Sequence, residues 1–155
     1  MDFKIKDRIA LVCGSSRGLG LAIARTLAVE GCRVAINGRE VNRVELASDT
    51  AVDVAGFPAD VRKPAENENP VRHVREHFGR LDKLVCNAGV PPSTVFSETP
   101  QGEWGRALAL NHLSSIHLRR AAVPGMREQR WGRIVCVYLT GVALQVDGGL
   151  VRSVT

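Results

Sequence analysis

The stretch Ile9–Gly20, Ile-Ala-Leu-Val-Cys-Gly-Ser-Ser-Arg-Gly-Leu-Gly, constrains this chain more than any other. Ile9 to Val12 form an uninterrupted apolar run, the pattern of a short strand buried on both faces of a parallel sheet. Gly14, Gly18 and Gly20 then punctuate a turn. From Leu19 the apolar residues recur at helical spacing through Ile23 and Leu27. A strand, a glycine turn and a helix start leave several backbone N–H groups unpaired at a helix N-terminus. Those donors and the helix dipole both favour an anion, and glycine lets a pyrophosphate approach the backbone closely. The spacing Gly-x-x-x-Gly-x-Gly differs from the commoner dinucleotide fingerprint, so the turn needs support from the rest of the chain.

That support comes in order. The first helix runs to about Glu30, and Gly31 is placed to cap it. Arg33 to Asn37 reads as a second strand, a helix is expected from about Glu40 to Thr50, and Asp53 to Phe57 reads as a third strand ended by Pro58. This βαβαβ run is one mononucleotide-binding half of a doubly wound sheet. A polar amphipathic helix is expected over Pro64 to Phe78, stopped by Gly79. Leu81 to Cys86 reads as a fourth strand, followed by Asn87-Ala88-Gly89. A long helical pattern covers Gln101 to Glu128, with Pro124-Gly125 expected to kink or end it. Asn111 interrupts its apolar run and is able to bend the helix and hold a water. Gly132 to Tyr138 is the fifth strand.

The tip of the second strand bears on the choice of dinucleotide. A carboxylate there would accept from a ribose 2′-OH, but the chain has Asn37-Gly38-Arg39. Arg39, with Arg17 of the glycine turn, is suited to clamp a 2′-phosphate, because guanidinium matches phosphate geometry. The reading is NADP over NAD. Asp60 and Val61 follow the third strand, where a carboxylate is able to accept from the adenine amino group or act as a turn residue.

Composition narrows the function class. The 155 residues are 45% apolar but only 5% aromatic, which suits one aliphatic α/β domain spanning 1–155. The net charge of +5 comes from scattered basic residues without a stacking-aromatic stripe, which argues for a small anionic ligand and against nucleic acid. Cys13, Cys32, Cys86 and Cys136 fall in or beside expected strands without a Cys-x-x-Cys pair, so they read as buried free thiols. His73 and His77 have metal-capable spacing on a charged helix but lack a third ligand, so no metal is expected. With no signal-like or membrane-length apolar segment, the expected location is a reducing cytoplasm.

Taken together, Cys13-Gly14-Ser15-Ser16-Arg17-Gly18-Leu19-Gly20, Asp60-Val61, Asn87-Ala88-Gly89, Asn111, Gly132-Arg133-Ile134-Val135 and Val146-Asp147-Gly148-Gly149 resemble the short-chain dehydrogenase/reductases. The resemblance covers nearly the whole chain. It implies a Rossmann-like doubly wound parallel sheet with helices on both faces and an oxidoreductase by descent. In that family the glycine turn, Gly14 through Gly20 with Ser15 and Ser16, holds the pyrophosphate. Asp60 and Val61 contact adenine, Asn87, Ala88 and Gly89 lie beside the ribose, Asn111 supports a proton-relay water, and Arg17 with Arg39 select NADP.

The departure from the family is equally specific. Its members use a Ser at the end of the fifth strand and, about a dozen residues on, a Tyr-x-x-x-Lys pair that protonates the substrate oxygen. Here Leu139 stands at the Ser position, Tyr138 is followed four residues later by Val142, and the last Lys is Lys83. Residues 142–146 resemble the family's final strand, so a segment of roughly a hundred residues reads as missing from a domain of about 250. The expected fold is therefore truncated after the fifth strand, with 1–138 forming the cofactor half and 139–155 a residual strand and tail. Only three residues separate Tyr138 from Val142, too few for a parallel crossover. The final strand must form an antiparallel hairpin, extend the fifth strand, leave the domain or pair with another chain. The expected function is NADP binding with impaired hydride transfer to a carbonyl or alcohol. The alternatives are a non-catalytic dinucleotide-binding or regulatory module and an inert deletion product of an intact reductase. Exposed apolar surface predicts a homo-oligomer or association with an intact relative.

Overall fold

The computed structural model describes residues 3–42, 44, 54–89, 98–137 and 143–147. Its elements are β1 (Ile9–Val12), α1 (Gly18–Val29), β2 (Arg33–Gly38), β3 (Val54–Pro58), α2 (Asn69–Phe78), β4 (Lys83–Cys86), α3 (Gln101–Leu108), a π-helical turn (Ala109–Leu113), α4 (Ser114–Glu128), β5 (Arg133–Val137) and β6 (Ala143–Asp147). One sheet has the order β3-β2-β1-β4-β5-β6. The first five strands in that order are parallel, with Leu11 opposite Ala35 and Leu84, and Leu84 opposite Ile134.

Strand alternation splits the core into two layers. Ile9, Leu11, Leu84, Cys86, Ile134 and Cys136 face Val71 and Val74 of α2 and Leu118, Ala122 and Met126 of α4. Ala10, Val12, Val34, Ile36 and Val85 face the other way, against Ala24 of α1 and Val44. The expected doubly wound sheet is present, with helices on both faces. All four cysteines are free and buried.

β6 resolves the question raised by the short link after β5. It pairs antiparallel with β5, Arg133 opposite Asp147 and Val137 opposite Ala143. Tyr138, Leu139, Thr140, Gly141 and Val142 lie outside the described residues, as does most of the expected 40–50 helix.

One helix expectation is corrected and another is narrowed. The segment from Pro64 does not begin the α2 helix. Residues 61–68 form turns, with Lys63 N–H on Asp60 O at 3.0 Å and Glu66 N–H on Lys63 O at 2.9 Å. Glu66 spends its side chain on the backbone N–H of Asp60, and α2 starts at Asn69 with Pro70 in its first turn, where a missing N–H costs nothing. Of the two outcomes expected at Pro124-Gly125, a kink or an end, the end is excluded: α4 continues to Glu128. Arg120 and Pro124 are both exposed, so the carbonyl deprived of a donor lies on the solvent side.

The edge of the sheet opposite the glycine turn is tied by Asp82, which is 1% exposed. Its carboxylate accepts from the Ile9 N–H at 2.8 Å, Arg8 at 3.3 Å and Arg80 at 3.0 Å. Arg8 also lies over the Trp131 ring, 3.9 Å from its centroid. Asp82→Ala leaves the Ile9 N–H buried and unpaired, whereas the two partly exposed arginines rehydrate. The expected loss is about 1–3 kcal/mol in denaturant unfolding, against about 2–5 kcal/mol for Leu84→Ala in the core.

Candidate functional site

The parallel strands β1, β2 and β4 end at a cleft of about 530 Å³, inside the size range of small-ligand sites. Its position follows from the fold: in an open parallel sheet, crevices form outside the carboxyl ends of the strands where the winding direction reverses.

Glycine is required at two points of the floor. Gly14 has φ +65°, and a Cβ there would lie 2.9 Å from the Ala88 Cα. A Cβ on Gly20 would meet the Gly14 carbonyl and stand 2.6 Å from Asn87 Nδ2. The glycine turn, the first turn of α1 and the 87–88 segment thus pass backbone against backbone. Asn87 fastens them, its Nδ2 donating to Gly14 O at 3.2 Å. The N-terminus of α1 opens onto this cleft. Arg17 precedes it in extended conformation, no side chain caps it, and no acid occupies its first turn. Its first N–H groups remain available to an anion.

Of the residues expected at the site, Gly14, Ser16, Arg17, Gly18, Leu19, Gly20, Arg39, Asp60, Val61, Asn87, Ala88, Gly89 and Asn111 all line the cleft. Ser15 does not. It is fully buried, with its hydroxyl donating to Val12 O and accepting from the Asn37 N–H. It pins the turn from behind, bridging the end of β1 to β2 through these two hydrogen bonds. Sequence reasoning assigned no role to Leu110 and Val137, which also line the cleft.

Asn37 fills the place where an acid would face a ribose. It is 1% exposed, and its Nδ2 donates to Phe57 O at 2.9 Å and Ala59 O at 3.2 Å. Its amide therefore stitches β2 to the end of β3. The charged group at this tip is Arg39, exposed at the cleft beside Arg17.

Asp60 is buried, and the hydrogen bonds from Arg62, the largest influence, hold its carboxyl below the usual carboxylate range. Arg39 pulls in the same direction. Asn111 sits in the π-helical turn, a rare wide turn that re-aims a side chain and often occurs at functional sites. Its Oδ1 lies where a Cβ on Gly89 would reach it at 2.7 Å. His73 and His77 lie on α2. Their rings pack on Phe57 at 5.9 and 5.6 Å, and no cluster of three metal-ligating side chains occurs among the described residues. No helix among those residues is long and apolar enough to cross a membrane.

Known proteins agree with this geometry. Residues 8–143 match the short chain dehydrogenase family. The chain is 36% identical over 140 residues to the D-beta-hydroxybutyrate dehydrogenase of Cupriavidus necator, covering 88% of this chain and 54% of that protein. It is 34% identical over 133 residues to the 3-oxoacyl-(acyl-carrier-protein) reductase FabG of Escherichia coli, covering 85% and 54% respectively. The L-sorbose reductase of Gluconobacter frateurii, solved with NADPH and L-sorbose, superposes with a TM-score of 0.83 at 34% identity, over 88% of this chain and 54% of that one. The chain spans about half the length of these relatives. The sheet order, the glycine turn against Ala88 and these matches together establish that this chain belongs to the short-chain dehydrogenase/reductase family.

Proposed function

We propose that this chain binds NADP through the cleft and is impaired in hydride transfer, because it lacks the family's paired Tyr and Lys. The observation that carries the reading is the convergence of an uncapped helix N-terminus, close-packed glycines and two exposed arginines on one cleft without an acid at the tip of β2. Each part of that set suits a portion of the cofactor. The first N–H groups of α1 take the pyrophosphate. Arg39 and Arg17 take the 2′-phosphate, which a carboxylate at the same tip would repel. Asp60 and Val61 receive the adenine, and Asn87 to Gly89 pass beside the ribose. When bound, the nicotinamide ring supplies or accepts a hydride. The structural neighbour solved with NADPH supports the choice of NADP.

What this chain contributes to proton delivery is smaller. Asn111 is positioned by the π-helical turn to hold a water at the cleft. No Tyr-x-x-x-Lys occurs in the 155 residues: the one tyrosine is Tyr138, and no lysine follows Lys83. In the family's pair the ammonium lowers the pKa of the phenol and so fits it to proton transfer at neutral pH. We read the absent segment as an internal loss between Tyr138 and Val142.

A second reading, a non-catalytic module that associates with another chain, draws on the exposed apolar surface. Leu108 is 59% and Leu113 47% exposed on the long helical segment, and β6 is the terminal strand of the sheet. Apolar patches and strand edges both favour association, with a second copy or with an intact relative. The four buried free thiols fit a reducing cytoplasm.

Four outcomes test these readings. Titration followed by nicotinamide fluorescence should give saturable NADPH binding, tighter than NADH. Arg39→Ala should weaken NADPH about tenfold or more while leaving NADH within about twofold. Failure to bind either cofactor contradicts the proposal. Tyr138→Phe should leave any residual carbonyl reduction unchanged, whereas abolished turnover would make Tyr138 the proton donor. Sedimentation velocity should give a dimer or larger species; a monodisperse monomer contradicts the association reading.

A further inference from the structure

Three of the four cysteines stand in one row across the sheet. Val12 lies opposite Val85, and the next residues on the two strands are Cys13 and Cys86, with the Cys13 N–H donating to Val85 O at 2.9 Å. Cys86 in turn lies directly opposite Cys136. All three belong to the core layer under α2 and α4, among Leu11, Leu84, Ile134 and Leu118. Cys86 and Cys136 are 6% and 2% exposed, and both are free thiols. Their sulfurs interact directly, whereas Cys13 acts on Cys86 at longer range. The Arg119 guanidinium of α4 bears on both sulfurs of the pair, and its Nε donates to Ser115 O at 3.0 Å. Neither cysteine lines the cleft, so the cofactor reading leaves this pair without a role.

The spacing of the pair decides what it can hold. Residues opposite each other in a parallel sheet are about 4.7–4.9 Å apart. A direct sulfur–sulfur bond needs Cβ atoms about 3.5–4.5 Å apart, so the strands would have to draw together. An ion seated between the sulfurs, with thiolate–metal bonds of about 2.3 Å each, spans strands that stay in place.

The row also sets the number of ligands. Cys13 and Cys136 are separated by two strand spacings, about 9–10 Å, so no single ion reaches both. No group of three His, Cys, Asp or Glu side chains able to hold a metal occurs among the described residues. Two sulfurs in an apolar layer do not complete the tetrahedron of Zn(II), and they lack the oxygens that Ca(II) and Mg(II) require. They suit a soft monovalent ion, because thiolates select Cu(I). The charge closes as well: two thiolates and one monovalent cation leave a single negative charge, and Arg119 supplies the positive one.

We propose that Cys86 and Cys136 form a two-coordinate thiolate site for a soft monovalent cation of the Cu(I) class, bridging the ends of β4 and β5. Binding replaces two S–H bonds by two S–Cu bonds and releases two protons to solvent, with no change of oxidation state. Affinity therefore rises with pH. The site is independent of the proposed dinucleotide cleft, and its test needs no cofactor.

The test is an anaerobic titration of the reduced full chain with Cu(I) buffered by a chromogenic chelator, followed by X-ray absorption at the copper edge. The wild type should withhold one Cu(I) per chain, more tightly at higher pH, with two sulfur neighbours and no nitrogen or oxygen. Cys86→Ser and Cys136→Ser should each weaken retention about a hundredfold or more. Cys32→Ser, in the opposite core layer, should stay within about twofold. Circular dichroism checks that each variant is folded. Should a serine variant fail to fold, Arg119→Gln, on the half-buried side of α4, keeps the test open: it should weaken retention about tenfold and leave the two-sulfur coordination unchanged. A folded wild type that withholds no Cu(I) from the chelator would overturn the inference. So would three or more sulfur neighbours, Zn(II) held as tightly as Cu(I), or retention unaltered by Cys86→Ser, Cys136→Ser or Arg119→Gln. A Cys86–Cys136 disulfide recovered in place of the bound ion would make the pair a redox couple and overturn it too.

Discussion

The structure depends on one close backbone crossing. Gly14, Gly20 and Ala88 meet with no room for a side chain between them, and Asn87 secures the crossing through the Gly14 carbonyl. That contact sets how near α1 comes to the ends of β1 and β4. The helix N-terminus therefore opens at the strand ends, and the cleft exists because the helix start, the glycine turn and the strand tips share one corner. Ser15 secures the same corner from the buried side by bridging Val12 and Asn37. A residue that looks like a ligand contact in the motif is instead part of the frame.

The two ends of the sheet divide the work. At the far edge, Asp82 gathers Ile9, Arg8 and Arg80, and the aromatic Trp131 carries the Arg8 guanidinium. These polar contacts close the bottom of the sheet. At the near edge the polar groups face a cleft, and their partners are arranged to leave capacity over: α1 is uncapped, and Arg17 and Arg39 line the opening. The same parallel packing supplies stability at one end and binding chemistry at the other, as doubly wound sheets do.

Much of this was legible in the sequence because short apolar runs and glycine spacing are local signals. The strand at Ile9–Val12 and the caps at Gly31 and Gly79 follow from period and order alone, whereas the line-up of Asp60, Asn87 and Asn111 at one end of the sheet is implied by the family resemblance. Less was legible where a side chain's role depends on a distant partner. Asp82 binds a residue 73 positions away, and nothing near it in sequence announces that. Of the turns at 61–68, the part from Pro64 reads as helix because its composition is helical; the deciding contact is Glu66 reaching back to Asp60. Pro124-Gly125 reads as a kink or an end of the helix, and α4 continues past it on an exposed side. The antiparallel course of β6 was reachable by exclusion, since a three-residue link forbids a parallel return, but the choice among the remaining options needed coordinates.

The central claim is that the glycine corner, the tip of β2, the 59–61 segment and the 87–89 segment form one dinucleotide site in this chain. Amide hydrogen exchange on the full chain, with and without saturating NADPH, tests it most directly. The account predicts slowed exchange together over residues 14–20, 37–39, 59–61 and 87–89, with the Asp82 edge unchanged. Exchange that does not slow at these four segments, or slows only elsewhere, would contradict it.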